Sequence, residues 1–289
     1  MTLGDSTKLG VIEYVSSVLD AAVDDGLITR NLLHARSITR PVPDKHEAVP
    51  LTLDQVEELT EALRHTKDCS EDCDNCDADR YEVIPQLGAG TGMRQGEMFA
   101  IDAETDIDFL HRIIHVRRQV KIIRGKQVFA PIKNDKIHDV PITELLCTLL
   151  ARYMQVFPPV KVTLPWKEAD GKNPEFKTFT LLLSRSGGKA MHRKMANDRW
   201  KMALRRAGIP DDRWHMMHVL RHTAVSAWLS AGISARAVAE FIGDTEETVM
   251  ATYSHMMPDD RDRARKAMDR FFSRPEQNPL SASGRRDVP

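Results

Sequence analysis

His218, Arg221 and Tyr253 carry side chains whose types and spacing point to a reaction. They fall in one stretch, HMMHVLRHTAVSAWLSAGISARAVAEFIGDTEETVMATYSH, from His215 to His255. His218 and Arg221 are three apart, so on a helix both project from neighbouring turns toward one spot. Tyr253 comes at the end of a later helical segment. An imidazole, a guanidinium and a phenol converging on one small pocket suit a phosphodiester better than any other common substrate.

Three short helices must position this set. The first has a core stripe at Leu220, Ala224, Ala227 and Trp228, the i, i+4, i+7, i+8 spacing of a buried face. Gly232 breaks it and Ser234 caps a second helix, with Val238, Phe241 and Ile242 turned inward. Gly243 ends that helix, Thr245 caps a third, and the third delivers Tyr253.

HVLRHT followed by IGDTEETVMATYSH resembles the C-terminal signature of the tyrosine recombinases, the phage-type integrases. GTGMRQGE upstream, and PIK between two strand-like runs, extend the resemblance over roughly Glu47 to Ser273. The resemblance implies a set of roles. Tyr253 attacks a DNA phosphorus and forms a 3′-phosphotyrosyl bond, releasing a 5′-hydroxyl. Arg94, aimed by the glycine-rich turn, and Arg221 clamp the non-bridging oxygens, and Glu97 holds the Arg94 guanidinium or its neighbours. Lys133, in the PIK connection, is the general acid on the departing oxygen. His218 assists proton movement at Tyr253 or holds the phosphate. Such chemistry needs no cofactor, neither a metal nor ATP. One position departs from the pattern. Family members usually carry His or Trp after the glycine where this chain has Asp244, an anion that either repels the phosphate or orients a nearby arginine.

The net charge of −1 does not suggest a nucleic-acid binder, but the charge is segregated. Residues 111–126 hold six Lys/Arg and no carboxylate, and residues 185–206 hold eight Lys/Arg against one Asp. Such blocks can track a phosphate backbone, although each alone also fits a solvated face. Arg117, Arg118, Lys121, Arg193 and Lys194 are the DNA-binding candidates, with double-stranded DNA as partner. Residues 68–82 are acidic and crowd three of the four cysteines. His65, Cys69, Cys73 and Cys76 are zinc candidates, but their spacings of four, four and three fit no two-by-two knuckle. A reduced surface loop without metal is the expectation. No apolar run approaches membrane-spanning length, so the chain is read as soluble and cytoplasmic. The resemblance adds a bacterial, nucleoid-associated setting and a homotetramer on synapsed DNA.

In chain order, residues 11–27 read as one amphipathic helix, followed by a basic, proline-bounded linker. By the resemblance, residues 1–45 are a remnant of a helical core-binding domain, 46–273 the catalytic domain and 274–289 a disordered tail. So short a clamp is expected to leave the chain poor at choosing a target. Thr52 with Gln55 makes a capping box for the next helix. RIIHVRRQVKIIRGKQVFAPIK is the clear β region, with a turn at Arg124–Lys126 and a third strand expected from HDVPI. Residues 158–177, with four prolines, read as irregular. The final helix carries an apolar stripe of Ala264, Ala267, Met268, Phe271 and Phe272. The fold expected is mainly α with a small antiparallel sheet, the catalytic fold of the tyrosine recombinases.

The function expected is site-specific DNA cleavage and rejoining. A type IB topoisomerase shares the residue set but is disfavoured by the integrase-like GTGMRQGE and TYSH segments. A catalytically impaired DNA-binding remnant is the alternative from another class.

Overall fold

The structure, a computed structural model, describes residues 4–35, 37–42, 49–64, 79–132, 135–167, 175–257 and 260–272. Lys133 and the zinc candidates His65, Cys69, Cys73 and Cys76 lie outside these residues, as does the tail 274–289. The chain divides into two compact units, Met1–Glu47 and Ala48–Pro289. In the first, α1 (Asp5–Asp24) is followed by a short 3-10 turn whose start Asn31 caps. The Asn31 amide also donates to Asp20 at 2.8 Å and to the Ser16 hydroxyl at 2.9 Å, tying the turn back to the helix.

The second unit opens with α2 (Leu53–Arg64), whose capping box is present: Thr52 and Gln55 exchange amide-to-side-chain bonds of 2.9 and 3.2 Å. α3 (Ile84–Thr91) carries Gly88 and Gly90 inside the helix, so only Gly92 of the glycine-rich segment makes a turn. α4 (Gln95–Met98) follows. β1 (Ile107–Asp108), β2 (Ile113–Val116) and β5 (His138–Pro141) form a three-stranded antiparallel sheet in the order β1-β2-β5. β3 (Arg118–Ile123) and β4 (Lys126–Pro131) form a separate hairpin. Arg124 and Gly125 both have positive φ at its turn, which matches the twist of the strands.

Two expectations change here. The β region is split at Arg117, and the HDVPI strand pairs with β2 instead of extending the hairpin. The proline-rich segment is not irregular throughout: β6 (Val160–Pro165) pairs with β7 (Phe176–Leu181). Pro158 and Pro159 precede β6 and Pro165 ends it, so no proline interrupts the strand, and Thr163 and Thr178 meet across the pair at 2.7 Å.

α5 (Glu144–Val156) precedes β6, and a small hairpin of β8 (Ser184–Arg185) and β9 (Lys189–Ala190) leads into α6 (Arg193–Arg206). α7 (His218–Ser230), α8 (Ala235–Ile242), α9 (Glu246–Tyr253) and α10 (Asp260–Phe272) complete the chain. The main core gathers α2, α3, α5, α6 and the start of α7 around Leu59, Leu87, Trp200 and Leu220. A second cluster joins α7, α8 and α9 through Val225, Leu229, Val238, Ile242 and Val249. On α7 the buried apolar residues are therefore Val219, Leu220, Ala224, Val225 and Leu229, while Ala227 is exposed and Trp228 half-buried. Mainly helical architecture with small antiparallel sheets is what the sequence implies. No described helix is long and apolar enough to cross a membrane.

Candidate active site

Arg94 is placed by backbone turns and by one close helix contact. α3 lies so near α7 that a Cβ on Gly88 would meet Leu220 Cδ1 at 2.6 Å. Gly92 then caps α3 in the left-handed region at φ 64°, which favours glycine, and reverses the chain so that Arg94 begins α4. Glu97 fixes it from one turn on. One carboxylate oxygen accepts the Arg94 backbone N–H at 2.8 Å and the other accepts Nη1 at 3.1 Å. Glu97 is buried, so this ion pair is shielded from water.

Arg221 sits in the first turn of α7 and is only 3% exposed. Nη1 donates to two backbone carbonyls, Gly92 and Ile242, each at 3.0 Å. Those carbonyls close α3 and α8, where helix ends leave oxygens without helical partners. Gly243 ends α8 at φ 60° and brings Asp244 around to face the arginines. Nη2 of Arg94 and Nη2 of Arg221 both donate to the same oxygen, Oδ2 of Asp244, each at 2.8 Å. Burial alone would raise the Asp244 pKa. The guanidiniums of Arg221 and Arg94 and the Thr245 amide outweigh it and hold the carboxyl below its usual range. Lys136 closes the corner by donating to the Asp244 carbonyl at 3.2 Å.

Tyr253 ends α9 and is 4% exposed. Its hydroxyl lies 2.6 Å from Nδ1 of His222, with ring centroids 5.5 Å apart. Burial pushes the phenol up to about 12, against the pull of Arg221. His222 is pushed down to about 4, chiefly by burial and then by His218 and Arg221. His218, one turn earlier, stacks edge-on against His222 at 5.0 Å, and desolvation of the ring, then the Arg221 and Arg94 guanidiniums, lower its pKa. His222, and not His218, is therefore the imidazole on the tyrosine hydroxyl. The sequence held this signal, because His218 and His222 are four apart on one helical face, but the HxxR pattern drew the role to His218.

Beside the site runs a cleft of about 640 Å³, lined by Arg94, His218, Lys121, Gln119, Asn197 and Arg193. Lys194 and Lys201 line its continuation with Arg193. Arg117 is half-exposed and donates to the Thr105 carbonyl at 3.2 Å. Arg118 is different. It is 7% exposed, binds both oxygens of the buried Asp106 and lies 4.0 Å over the Phe179 ring, so its charge is committed inside the fold. Among the described residues no group of three or more His, Cys, Asp or Glu is arranged to hold a metal.

Residues 50–259 match the model of the phage integrase family. The chain belongs to that family. It is 23% identical over 276 residues to a XerC-like tyrosine recombinase of Caldanaerobacter subterraneus subsp. tengcongensis, covering 90% of this chain and 64% of that protein. It is 25% identical over 202 residues to the integrase of Salmonella phage P22, covering 69% of this chain and 45% of that protein. The chain thus spans less than two thirds of the length of these two relatives.

This member of the phage integrase family also matches the Tn1549 transposon integrase in complex with transposon right end DNA. The TM-score is 0.70 at 18% identity, covering 94% of this chain and 81% of that one. A lambda integrase dimer bound to a core site matches with a TM-score of 0.54 at 15% identity, covering 88% and 59%. These likenesses establish the fold, that of the tyrosine recombinase catalytic domains.

Proposed function

We propose that this phage integrase family member is a site-specific DNA recombinase that cleaves and rejoins double-stranded DNA through a 3′-phosphotyrosyl intermediate on Tyr253. The observation that carries this reading is the convergence of Arg94 and Arg221 on one anionic oxygen. A non-bridging phosphate oxygen suits that position, because two fixed donors there stabilise charge without reorganising during the reaction. Glu97 holds the first guanidinium, and backbone carbonyls hold the second. Lys133 is assigned the leaving 5′-oxygen on the strength of its motif, and His218 the phosphate, since it lines the cleft beside Arg94. Lys121, Arg193 and Lys194 would track the backbone, with Arg117 at their margin. A homotetramer on synapsed DNA is the proposed assembly, and the exposed Met268, Phe271 and Phe272 of α10 offer an apolar face for a neighbouring copy. The bacterial cytoplasm, at the nucleoid, is the proposed setting.

Asp244 favours a second reading, a catalytically impaired DNA-binding relative. Two guanidiniums facing the carboxylates of Glu97 and Asp244 form a cluster with no net formal charge. Incubation of the full chain with nicked suicide duplexes separates the two. The recombinase forms covalent protein–DNA adducts that Tyr253→Phe abolishes while DNA binding persists. DNA binding without adducts supports the impaired relative, and adducts that survive in Tyr253→Phe overturn the nucleophile.

A further inference from the structure

The phenol needs a destination for its proton, and the HxxR pattern does not supply one in this fold. Tyr253 is buried, so bulk water does not serve its hydroxyl directly. Among the described residues, the hydrogen-bond partner of that hydroxyl is His222 Nδ1, at 2.6 Å. The ring comes from the same helix as Arg221 and is held edge-on by His218. We propose that His222 is a catalytic residue, the proton acceptor for Tyr253 in strand cleavage and the proton donor to it in rejoining. This rests on the recombinase reading above.

The step balances as follows. His222 is neutral with its proton on Nε2, so Nδ1 presents a lone pair to the hydroxyl. As Tyr253 Oη bonds to phosphorus, its O–H bond breaks and the proton passes to Nδ1. The P–O5′ bond breaks, and the departing oxygen takes a proton from the general acid assigned to Lys133. Imidazolium and neutral amine remain, next to a phosphotyrosyl diester. In rejoining the 5′-hydroxyl attacks phosphorus and gives its proton to that amine, while the imidazolium returns its own to the leaving phenolate. No oxidant, metal or further reactant enters.

The surroundings weaken this base in the resting site. Burial disfavours the imidazolium first, and His218 and the Arg221 guanidinium add to that. Asp244 already faces that guanidinium at 2.8 Å, and a DNA phosphate taking its place would likewise sit as an anion near the new imidazolium and favour it.

Three arms test the proposal, using the full chain and a pool of nicked suicide duplexes randomised across the cleavage region. His222→Asn places an amide oxygen where Nδ1 was, so it keeps the tyrosine oriented but cannot take its proton. Single-turnover cleavage should fall by about 10²-fold or more, the usual scale for a lost general base, with DNA affinity retained. Replacing the tyrosines with a fluorinated tyrosine, a more acidic phenol, should shrink that deficit. A 5′-bridging phosphorothiolate, whose sulfur leaves without a proton, should not shrink it, although it should rescue Lys133→Ala. Full activity in His222→Asn would show that the imidazole only orients Tyr253 and would overturn the proposal. So would a deficit rescued by the phosphorothiolate, because His222 would then serve the leaving group. Wild-type chain that forms no adduct with any duplex overturns the recombinase reading, and this one with it.

Discussion

Nη2 of Arg221 lies 2.8 Å from Oδ2 of Asp244, the position proposed above for a phosphate oxygen. Arg94 donates to the same atom at the same distance. A phosphate entering the clamp must displace Asp244 or accept its repulsion. Two like charges about 4 Å apart repel by roughly 4 kcal/mol at an effective dielectric near 20. Asp244 is a quarter exposed, and water and the arginines screen much of that. Asp244→His is expected to raise the single-turnover cleavage rate about tenfold, and Asp244→Asn somewhat less. The imidazole can donate to phosphate, which an ionised carboxylate cannot. Rates measured at matched ionic strength decide it. If both substitutions slow cleavage, Asp244 orients the arginines and does not obstruct them.

The basic residues divide by burial, and their substitutions should divide in the same way. Lys121→Gln, Arg193→Gln and Lys194→Gln should each flatten the dependence of DNA affinity on salt by about 0.9 in log–log slope, with stability unchanged. Arg118→Gln should leave the intrinsic slope alone and destabilise the fold. It takes the buried cation from Asp106, which is 1% exposed and keeps only the longer 3.5 Å contact of Arg117, and breaking a buried pair in this way typically costs about 3–5 kcal/mol. Urea denaturation and salt-titrated binding on the same four proteins check both halves. A flattened slope for Arg118→Gln in fully folded protein would contradict the division.

Gly88 tests how tightly the clamp depends on helix packing. Its missing Cβ gives room to Leu220, with the Cβ, Cγ and Cδ1 atoms all within 3.3 Å of where an alanine methyl would sit. The whole leucine side chain would have to move, so α3 would shift off α7 and carry Arg94 away from Arg221. Gly88→Ala should destabilise by about 1–3 kcal/mol, the scale of overpacking a well-filled core. Adding Leu220→Ala should recover part of that loss, which a double-mutant cycle in denaturant would show. Strictly additive losses would mean that the two helices do not constrain each other there.

Much of this was legible from residue order because local signals agree with tertiary placement. The Ser234 and Thr245 caps each accept the expected amide at 3.2 Å, and the Gly243 stop delivers Asp244 and Tyr253 from successive helices. Arg124–Gly125 turns the hairpin as its composition implies. What escaped depends on long-range partners. Arg118 reads like its neighbour Arg117 until Asp106, twelve residues earlier, claims it inside the fold. The β6 strand hid between prolines because its pairing with β7 spans residues that local propensity does not connect. His222 lost its role to His218 because HxxR is a spacing within one helix, whereas contact with Tyr253 depends on how α7 meets α9.

Three histidines, His138 buried, His222 half-buried and His218 exposed at the cleft, set the expected response to acid. His222 is depressed to about 4, and His138 and His218 are also lowered, in each case first by burial. His138 makes the point geometrically: it packs against Gly243, Nδ1 lies 2.9 Å from the Lys136 carbonyl, and Nε2 is buried without a partner among the described residues. A folded-state pKa below the unfolded 6.5 means that the unfolded chain binds more protons between those values. The His222 contribution is thus complete above about 6.5 and declines as pH falls toward 4, by at most about 1.4 kcal/mol per pH unit, and the lowered His138 and His218 act in the same direction. Partial exposure of His218 and His222 reduces their shares. The depressed Asp244 carboxyl acts in the same direction only at lower pH, below the ordinary aspartate value of 3.8. Urea midpoints should therefore fall between pH 6.5 and 5, and fall less in His222→Asn, which has one fewer group to protonate on unfolding. Equal slopes for the two proteins would show that His222 titrates alike in the folded and unfolded chains, and the burial argument for its neutral form would fail.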